Sequence, residues 1–258
     1  MTNDFLDSLD LDDSAMIPFI PKVLEKLWEL GSMADYIIEL VERNIPNNKL
    51  KRVVDLGCGK GAVLIQLSEK IKFQGVGIDL MPEFTDEAKT YASQRAYSKN
   101  LKFETADIKK SIEKHNNFDL VIYGHDSDIF GNITQSLFEL EKYMSNQSWI
   151  IIETIYNTNS ENNPDDLPTE TEFNRQIKES EFKIVDQIIW DKKKLRDINQ
   201  SNTAIIREQI ARLIKSNPDK KQMFNTYLAN QVEECHQLEN NAQCLTILLE
   251  RKTSHNTM

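Results

Sequence analysis

The sequence of 258 residues contains few cysteines and no apolar run long enough to cross a bilayer. Its three cysteines, Cys58, Cys235 and Cys244, lack the spacing of metal ligands, and an odd number cannot all pair within one chain. The first 16 residues are acidic and lack the cationic start of a signal peptide. These absences predict a cytoplasmic protein in a reducing environment, with no membrane partner.

Basic charge is also scarce. Lysine and arginine number 31 against 41 aspartates and glutamates, which gives a formal net charge of −10. An acidic chain disfavours the extended basic surface that binds nucleic-acid phosphates, so we expect a small-molecule partner and no nucleic acid. Hydrophobic residues make up 40% of the chain, which is enough for the core of one α/β domain with additions, or of two small domains.

Glycine is confined to one part of the chain. All eight glycines lie between Gly31 and Gly131, and five of them lie between Gly57 and Gly77. Scattered glycines are usually turn residues, but three of these alternate directly after a β-like run, in VVDLGCGKG. Because glycine permits positive φ and a close approach of the backbone to a ligand, we expect a ligand to bind here.

From Lys51 onward the chain alternates short apolar runs with helical patterns. The pattern predicts seven strands: RVVDLG, QGVGIDL, LKFETADI, FDLVIYG, SWIIIETIY, FKIVDQIIW and AQCLTILLER. Strands that alternate with helices favour βαβ crossovers, and therefore an α/β fold with a mostly parallel sheet and helices on both faces. In such folds, ligands bind beyond the carboxyl ends of the strands.

Two helical segments lie outside this alternation. The stretches FIPKVLEKLWEL and MADYIIELVERN are predicted helices, and we assign residues 1–45 to an N-terminal helical cap and residues 46–258 to the main domain. A helical insertion occupies about residues 193–240, between the sixth and seventh strands. These amphipathic helices could form a lid over the active edge of the sheet, a homodimer interface or a thicker core. The polar stretch Tyr156–Glu172 is a predicted loop.

Two aspartates near the glycines favour a cationic nucleoside as the ligand. Asp79 ends the second strand, 22 residues after Gly57, where a carboxylate can accept hydrogen bonds from both ribose hydroxyls. Asp55 stands just before the first glycine of the run, where its charge would repel a pyrophosphate. The glycine spacing also departs from the GxGxxG of a pyrophosphate turn. A ligand with an amine, a positive sulfur, a ribose and an adenine therefore fits better than NAD.

Four stretches in succession, VVDLGCGKGAVLIQLSEK, GVGIDL, FETADI and FDLVIYGHDSDIFGN, resemble the motifs of class I S-adenosylmethionine-dependent methyltransferases. The resemblance covers about residues 31–156. It implies a Rossmann-like seven-stranded sheet with an antiparallel last strand, and a catalytic domain over residues 46–258. It also implies S-adenosyl-L-methionine as the cofactor, S-adenosyl-L-homocysteine as its product, and methyl transfer by in-line displacement to O, N or C of a small metabolite.

The resemblance implies three groups of cofactor-binding residues. Those at the methionine part are Ser32, Asp55, Gly57, Cys58, Gly59 and Gly61. Those at the ribose and adenine are Asp79, Leu80, Met81, Asp107 and Ile108, and those at the methyl-donor end are Tyr123 and Gly124. Asp55 would hold the ammonium group, Asp79 the ribose and Asp107 the adenine amino group. Asp107 as a helix cap and Asp79 as a turn residue are the structural alternatives.

The residues of the reaction itself are harder to assign. His125, after the fourth strand, is the candidate catalytic base, and a polar residue at the rim of the site is the alternative role for it. Asp126, Glu153 and Tyr156 follow the fourth and fifth strands and are the candidate substrate-binding residues. We expect no metal, although Asp126 and Asp128 could supply two oxygens.

Two other functions remain open. An aminopropyl-transferring relative shares the glycine turn and usually has paired acids after the fourth strand, where YGHDSD stands in this sequence. A non-catalytic regulatory protein would keep the cofactor pocket without a base. No Asn-Pro-Pro-aromatic or Asp-Pro-Pro-aromatic sequence follows the fourth strand, which departs from the nucleic-acid amine methylases and favours a small-molecule acceptor.

Overall fold

The computed structural model describes residues 14–124, 129–158 and 167–252, which belong to two compact units. The larger unit comprises Glu29–Thr154, Glu170–Ile188 and Leu245–Met258, and the smaller comprises Met1–Trp28, Ile155–Thr169 and Ile189–Cys244. The predicted boundary between an N-terminal cap of residues 1–45 and a main domain of residues 46–258 stays a prediction. Within the described ranges, every helix is too short or too polar to span a bilayer.

Seven strands form one sheet. They are β1 (Arg52–Leu56), β2 (Gln74–Asp79), β3 (Leu101–Thr105), β4 (Phe118–Gly124), β5 (Met144–Asn157), β6 (Phe182–Ile189) and β7 (Ala242–Arg251). Their order across the sheet is β3-β2-β1-β4-β5-β7-β6, and the first five strands pair in parallel. Strand β7 runs antiparallel to β6, because the amide of Trp190 donates to Cys244 and that of Lys252 donates to Glu181. The predicted α/β fold and its antiparallel last strand are confirmed.

Nine α-helices accompany the sheet in the described part of the chain. They are α1 (Ile20–Val23), α2 (Ala34–Asn44), α3 (Ala62–Ser68), α4 (Pro82–Ser93), α5 (Ile108–Ile112), α6 (Ile133–Glu141), α7 (Glu170–Lys178), α8 (Lys192–Ser216) and α9 (Lys221–Asn240). Short 3-10 helices cover Ser14–Phe19, Ala96–Asn100 and Pro218–Lys220. The central strands are buried along most of their length, as in a parallel sheet covered on both faces.

Two local predictions were wrong. The first N-terminal helix is shorter than the predicted FIPKVLEKLWEL, since the α-helix ends at Val23. After it, the amide of Leu27 donates to the carbonyl of Leu24 in a tighter turn. Val23 and Leu27 are nevertheless buried, so the apolar spacing was informative while the helix length was not. The stretch Tyr156–Glu172, predicted to be a loop, is helical from Glu170, where α7 begins.

In the smaller unit, α8 and α9 form an antiparallel helical hairpin where the insertion was predicted. Asn199 donates to Glu239 at one end of the hairpin, over 2.9 Å. Phe19, from the described segment before Trp28, packs on this hairpin, with its ring and that of Phe224 at 5.1 Å between centroids. Both helices were predicted to be amphipathic, but Val232 of α9, at one of the apolar positions, is 43% exposed.

Candidate functional site

The glycine turn joins β1 to α3, and all three of its glycines have positive φ. Gly57 has φ +78°, Gly59 +49° and Gly61 +74°. A Cβ added at Gly61 would lie 2.7 Å from the ring of Phe103, so the packing there requires glycine. A Cβ added at Gly57 would meet nothing within 4 Å. The turn therefore has one glycine that packs against the core and one that faces open space.

The backbone N–H groups of this turn are largely used within the protein. Those of Gly57 and Cys58 donate to one carbonyl near the end of β2, over 2.9 and 3.1 Å. That of Gly61 donates to the carbonyl of Cys58, over 2.8 Å. That of Gly59 donates to a side-chain carboxylate of β2, over 2.8 Å. A turn that binds phosphate presents free N–H groups, so these four bonds favour a different ligand, as the sequence predicted.

Asp79 is the acceptor on β2. Its Oδ2 accepts from the amide of Gly59 and its Oδ1 from the amide of Met81, both over 2.8 Å. Burial raises the pKa of this carboxyl, although the two N–H bonds oppose the rise. Each carboxylate oxygen has a further lone pair for a hydroxyl donor. Asp79 thus holds the turn together, and its predicted contact with a ribose stays a prediction.

The strand register brings three carboxyl groups to one face of the sheet. In the sheet, Asp55 lies opposite one residue of β2 and one residue of β4. Asp79 lies two positions after the first of these residues, and Gly124 lies two positions after the second. Because every second residue of a strand points to the same side, Asp55, Asp79 and Gly124 share a face. Gly124 pairs with Glu153 of β5, which faces the same way. Three acids therefore surround a position where β4 contributes no side chain.

Asp55 is strongly perturbed by its surroundings. It is 5% exposed, and its buried Oδ2 has no hydrogen-bond partner among the described residues. Burial raises its pKa to about 8, and the nearby charges of Glu153 and Asp79 contribute to the rise. A buried carboxyl beside two other acids is costly to ionise alone, and it is stabilised when a cation binds next to it.

Glu153 is also buried, at 7% exposure. Its Oε1 accepts from the amide of Met33 and from the hydroxyl of Thr246, both over 3.0 Å. Met33 ends a turn that contains the half-buried Ser32, a predicted neighbour of the cofactor. The bonds and burial of Glu153 give no support to its predicted contact with the methyl acceptor.

The predicted adenine-side residues lie where β2 and β3 end. Asp107 caps α5 by accepting from the amide of Lys110 over 3.3 Å. The structure therefore shows the helix cap, which was the alternative role for this residue. Ile108 begins that helix. Leu80 is 38% exposed and Met81 is buried. Contacts of these residues with an adenine stay predictions.

The structure describes four of the remaining predicted site residues and leaves the others outside its described ranges. Cys58 is buried, and burial with the charges of Asp79 and Asp55 raises its thiol pKa well above the ordinary value, so it is not a thiolate. Tyr123 is buried at the end of β4, beside the half-buried Gly124. The half-buried Tyr156 belongs to the smaller unit, near the end of β5. The candidates His125 and Asp126 lie outside the described residues, as does Asp128.

Sequence reasoning missed Lys60, inside the glycine turn. Its side chain is buried, its Nζ lies 2.8 Å from a carboxylate oxygen of Glu87, and it lies 5.8 Å from the centroid of the Phe84 ring. Both partners belong to α4, so the ion pair ties the turn to that helix. The one signal in the sequence is a lysine between two glycines, which does not identify a partner 27 residues away.

A model of the methyltransferase domain family matches residues 47–243. This match covers most of the chain, and the protein therefore belongs to that family. The fold agrees: a SAM-dependent methyltransferase from Thiobacillus denitrificans, crystallised with S-adenosyl-L-homocysteine, superimposes with a TM-score of 0.74 at 16% identity. The superposition covers 91% of this chain and 98% of that one.

Matches to curated relatives are confined to shorter segments. Aklanonic acid methyltransferase DauC of Streptomyces sp. (strain C5) is 38% identical over 74 residues, which are 28% of this chain and 33% of that protein. The tRNA1(Val) (adenine(37)-N6)-methyltransferase of Yersinia enterocolitica is 25% identical over 81 residues, 30% of this chain and 32% of that protein. These matches span about a third of each relative's length.

Proposed function

We propose that this protein is an S-adenosylmethionine-dependent methyltransferase that methylates O, N or C of a small-molecule metabolite in the cytoplasm. The observation that carries the proposal is the buried Oδ2 of Asp55, which has no hydrogen-bond partner in the described part of the chain and lies on the face of the sheet that also holds Asp79 and Glu153. A ligand that bears an ammonium and a sulfonium matches this negative face, whereas a pyrophosphate is repelled by it.

The chain's own groups fit the parts of such a cofactor. Gly57 leaves open space beside the turn for the methionine part, and Asp55 supplies the negative charge for its ammonium group. The spare lone pairs of Asp79 can accept from the ribose hydroxyls. When bound, the cofactor supplies the methyl group on a good leaving group. The protein then has to hold the acceptor in line with that group and to exclude water.

A small acceptor is favoured over a nucleic acid. DauC is named for aklanonic acid and the Yersinia relative for a tRNA, so similarity alone supports either class. The net charge of −10 and the sequence YGHDSD, which begins with the last two residues of β4, favour the small molecule. Within the proposal, His125 takes the acceptor's proton, and Asp126 and Tyr156 contact the acceptor.

Isothermal titration is the first test. We expect 1:1 binding of S-adenosylmethionine, with NAD and ATP binding far more weakly, because both carry phosphates next to Asp55. A further titration with decarboxylated S-adenosylmethionine separates this proposal from aminopropyl transfer, which requires that form to bind better. No binding of S-adenosylmethionine at millimolar concentration refutes the proposal.

Catalysis is tested separately with a radiolabelled methyl donor and fractionated metabolite extracts. A labelled product in a low-molecular-weight fraction is the expected result. Label in RNA instead, with the small-molecule fractions unlabelled, contradicts the proposed acceptor class. Binding without transfer to any fraction favours the regulatory alternative.

A further inference from the structure

The turn of residues 30–33 lies directly against the glycine turn. The side chain of Leu30 is 3.2 Å from the position that a Cβ on Gly59 would occupy. Gly31, the next residue, has φ +97°, a conformation that glycine adopts without strain. Met33 ends the turn, and its carbonyl accepts from the amides of Tyr36 and Ile37 in the first turn of α2. The position of this turn over the site therefore depends on what holds Met33.

Glu153 holds Met33 from the end of β5. One carboxylate oxygen, Oε1, accepts both the Met33 amide and the Thr246 hydroxyl, which comes from β7. All three residues are buried. Glu153 thereby connects two strands of the sheet to a turn that lies 120 residues earlier in the sequence.

The charge of Glu153 is not needed for these two bonds. The side-chain oxygen of a glutamine can accept both of them. Glu153 lies close enough to Asp55 to raise the pKa of its carboxyl. Without a ligand, Asp55 is therefore harder to ionise. Such a cost is offset when a cationic ligand binds between the acids, because each negative charge then contributes to its affinity.

We propose that Glu153 is a positioning residue of the cofactor site: through Met33 it fixes the turn of residues 30–33 over the glycine turn, and its charge adds to that of Asp55 in attracting the cofactor. This role differs from the contact with the methyl acceptor that the sequence predicted, and that contact stays a prediction. It rests on the proposed function, since it concerns the binding of S-adenosylmethionine.

The test compares S-adenosylmethionine affinity between Glu153→Gln and Glu153→Ala by isothermal titration. Glu153→Ala removes the acceptor of the Met33 amide, and we expect binding to weaken about 10- to 100-fold. Glu153→Gln keeps the acceptor, and we expect it to recover most of that loss. Glu141→Gln is the matched control, because it makes the same change at an acid that pairs with Arg251, and it should bind like wild type.

The pH profile provides a readout that a purely structural role would not change. Among the described residues, the charged groups that act on Asp55 are Glu153 from β5 and Asp79 from β2, and Asp55 in turn helps to raise the pKa of the Cys58 thiol in the glycine turn. Neutralising Glu153 removes one cause of the raised pKa of Asp55. The pH at which affinity levels off should therefore be lower in Glu153→Gln than in wild type.

The outcomes separate this inference from the proposed function. If wild type does not bind S-adenosylmethionine, the proposed function fails. If wild type binds and a folded Glu153→Ala variant binds equally well, or if Glu153→Gln is as weak as Glu153→Ala, the positioning role is wrong. Should Glu153→Ala fail to fold, the pH profile of Glu153→Gln decides, and an unchanged profile refutes the electrostatic part.

Discussion

Ionisation of Asp55 should control how tightly the cofactor binds. In the free protein, burial and the neighbouring acids Glu153 and Asp79 raise its pKa to about 8, so most molecules carry a neutral carboxyl at pH 7. A neutral carboxyl has lost most of its attraction for an ammonium group. Binding of the cofactor should therefore require loss of this proton, and affinity should increase with pH until Asp55 is ionised.

The size of the effect follows from the raised pKa. With a pKa of about 8, roughly 1% of Asp55 is ionised at pH 6, roughly 10% at pH 7 and about half at pH 8. The apparent Kd is the intrinsic Kd divided by the fraction of competent protein. The Kd should thus fall about tenfold from pH 6 to pH 7, and about fivefold from pH 7 to pH 8.

Isothermal titration in buffers of different ionisation enthalpy measures both consequences. At pH 7 we expect about one proton released for each cofactor bound, and little release at pH 9. Asp55→Asn is the control, and it should bind weakly with no pH dependence between pH 6 and 8. A wild-type Kd that is constant over this range, with no proton release, refutes the assignment of the ammonium site to Asp55.

The same ionisation has a consequence for stability. The folded-state pKa of Asp55 lies above its ordinary value of 3.8, so the folded protein holds this proton more tightly than the unfolded chain. Stability of the free protein should therefore be lost as the pH rises from about 4 to 8. Asp55→Asn removes the cost and should stabilise the protein at pH 8 by on the order of 5 kcal/mol, with almost no effect at pH 4. Denaturant melts at the two pH values measure the difference.

Three further predictions concern other residues of the site. Asp79→Ala should weaken cofactor binding by about 2 kcal/mol, because it removes a charged acceptor for the ribose and frees the Gly59 amide; an unchanged Kd in titration means that β2 does not reach the ligand. Gly61→Ala should lower the free energy of unfolding by about 3 kcal/mol through its clash with Phe103. Gly57→Ala should lower it by only about 1 kcal/mol and should instead weaken cofactor binding. Denaturant melts and titrations that show the reverse order would contradict this. His125→Ala should leave the Kd unchanged and slow transfer about 100-fold in single-turnover assays, and an equal loss in both would make it a binding residue.

The sheet could be predicted because its strands have simple sequence signals. FDLVIYG and AQCLTILLER coincide with β4 and β7, since buried strands appear as short apolar runs bounded by polar residues. The glycine turn and Asp79 were equally visible, because a strand-to-helix turn and the acid that ends the next strand have a characteristic spacing.

What the sequence did not reveal depends on contacts between distant residues. Nothing near Glu153 indicates that its carboxyl holds Met33, because the contact arises only when β5 and the turn meet in the fold. Helix α7 was missed because it begins inside a polar stretch, and its buried Phe173 and Ile177 form a single helical turn of apolar spacing. Short amphipathic segments of this kind are stabilised by packing rather than by their own propensity.

A crystal structure with S-adenosyl-L-homocysteine shows directly where the cofactor binds. We expect the ligand's amino group to lie within hydrogen-bond distance of Asp55 or to be linked to it by one water. We also expect its methionine part to cross the open space beside Gly57 and its ribose hydroxyls to contact Asp79. A ligand bound elsewhere on the protein, or a phosphate-bearing nucleotide bound at the glycine turn in its place, would contradict these expectations.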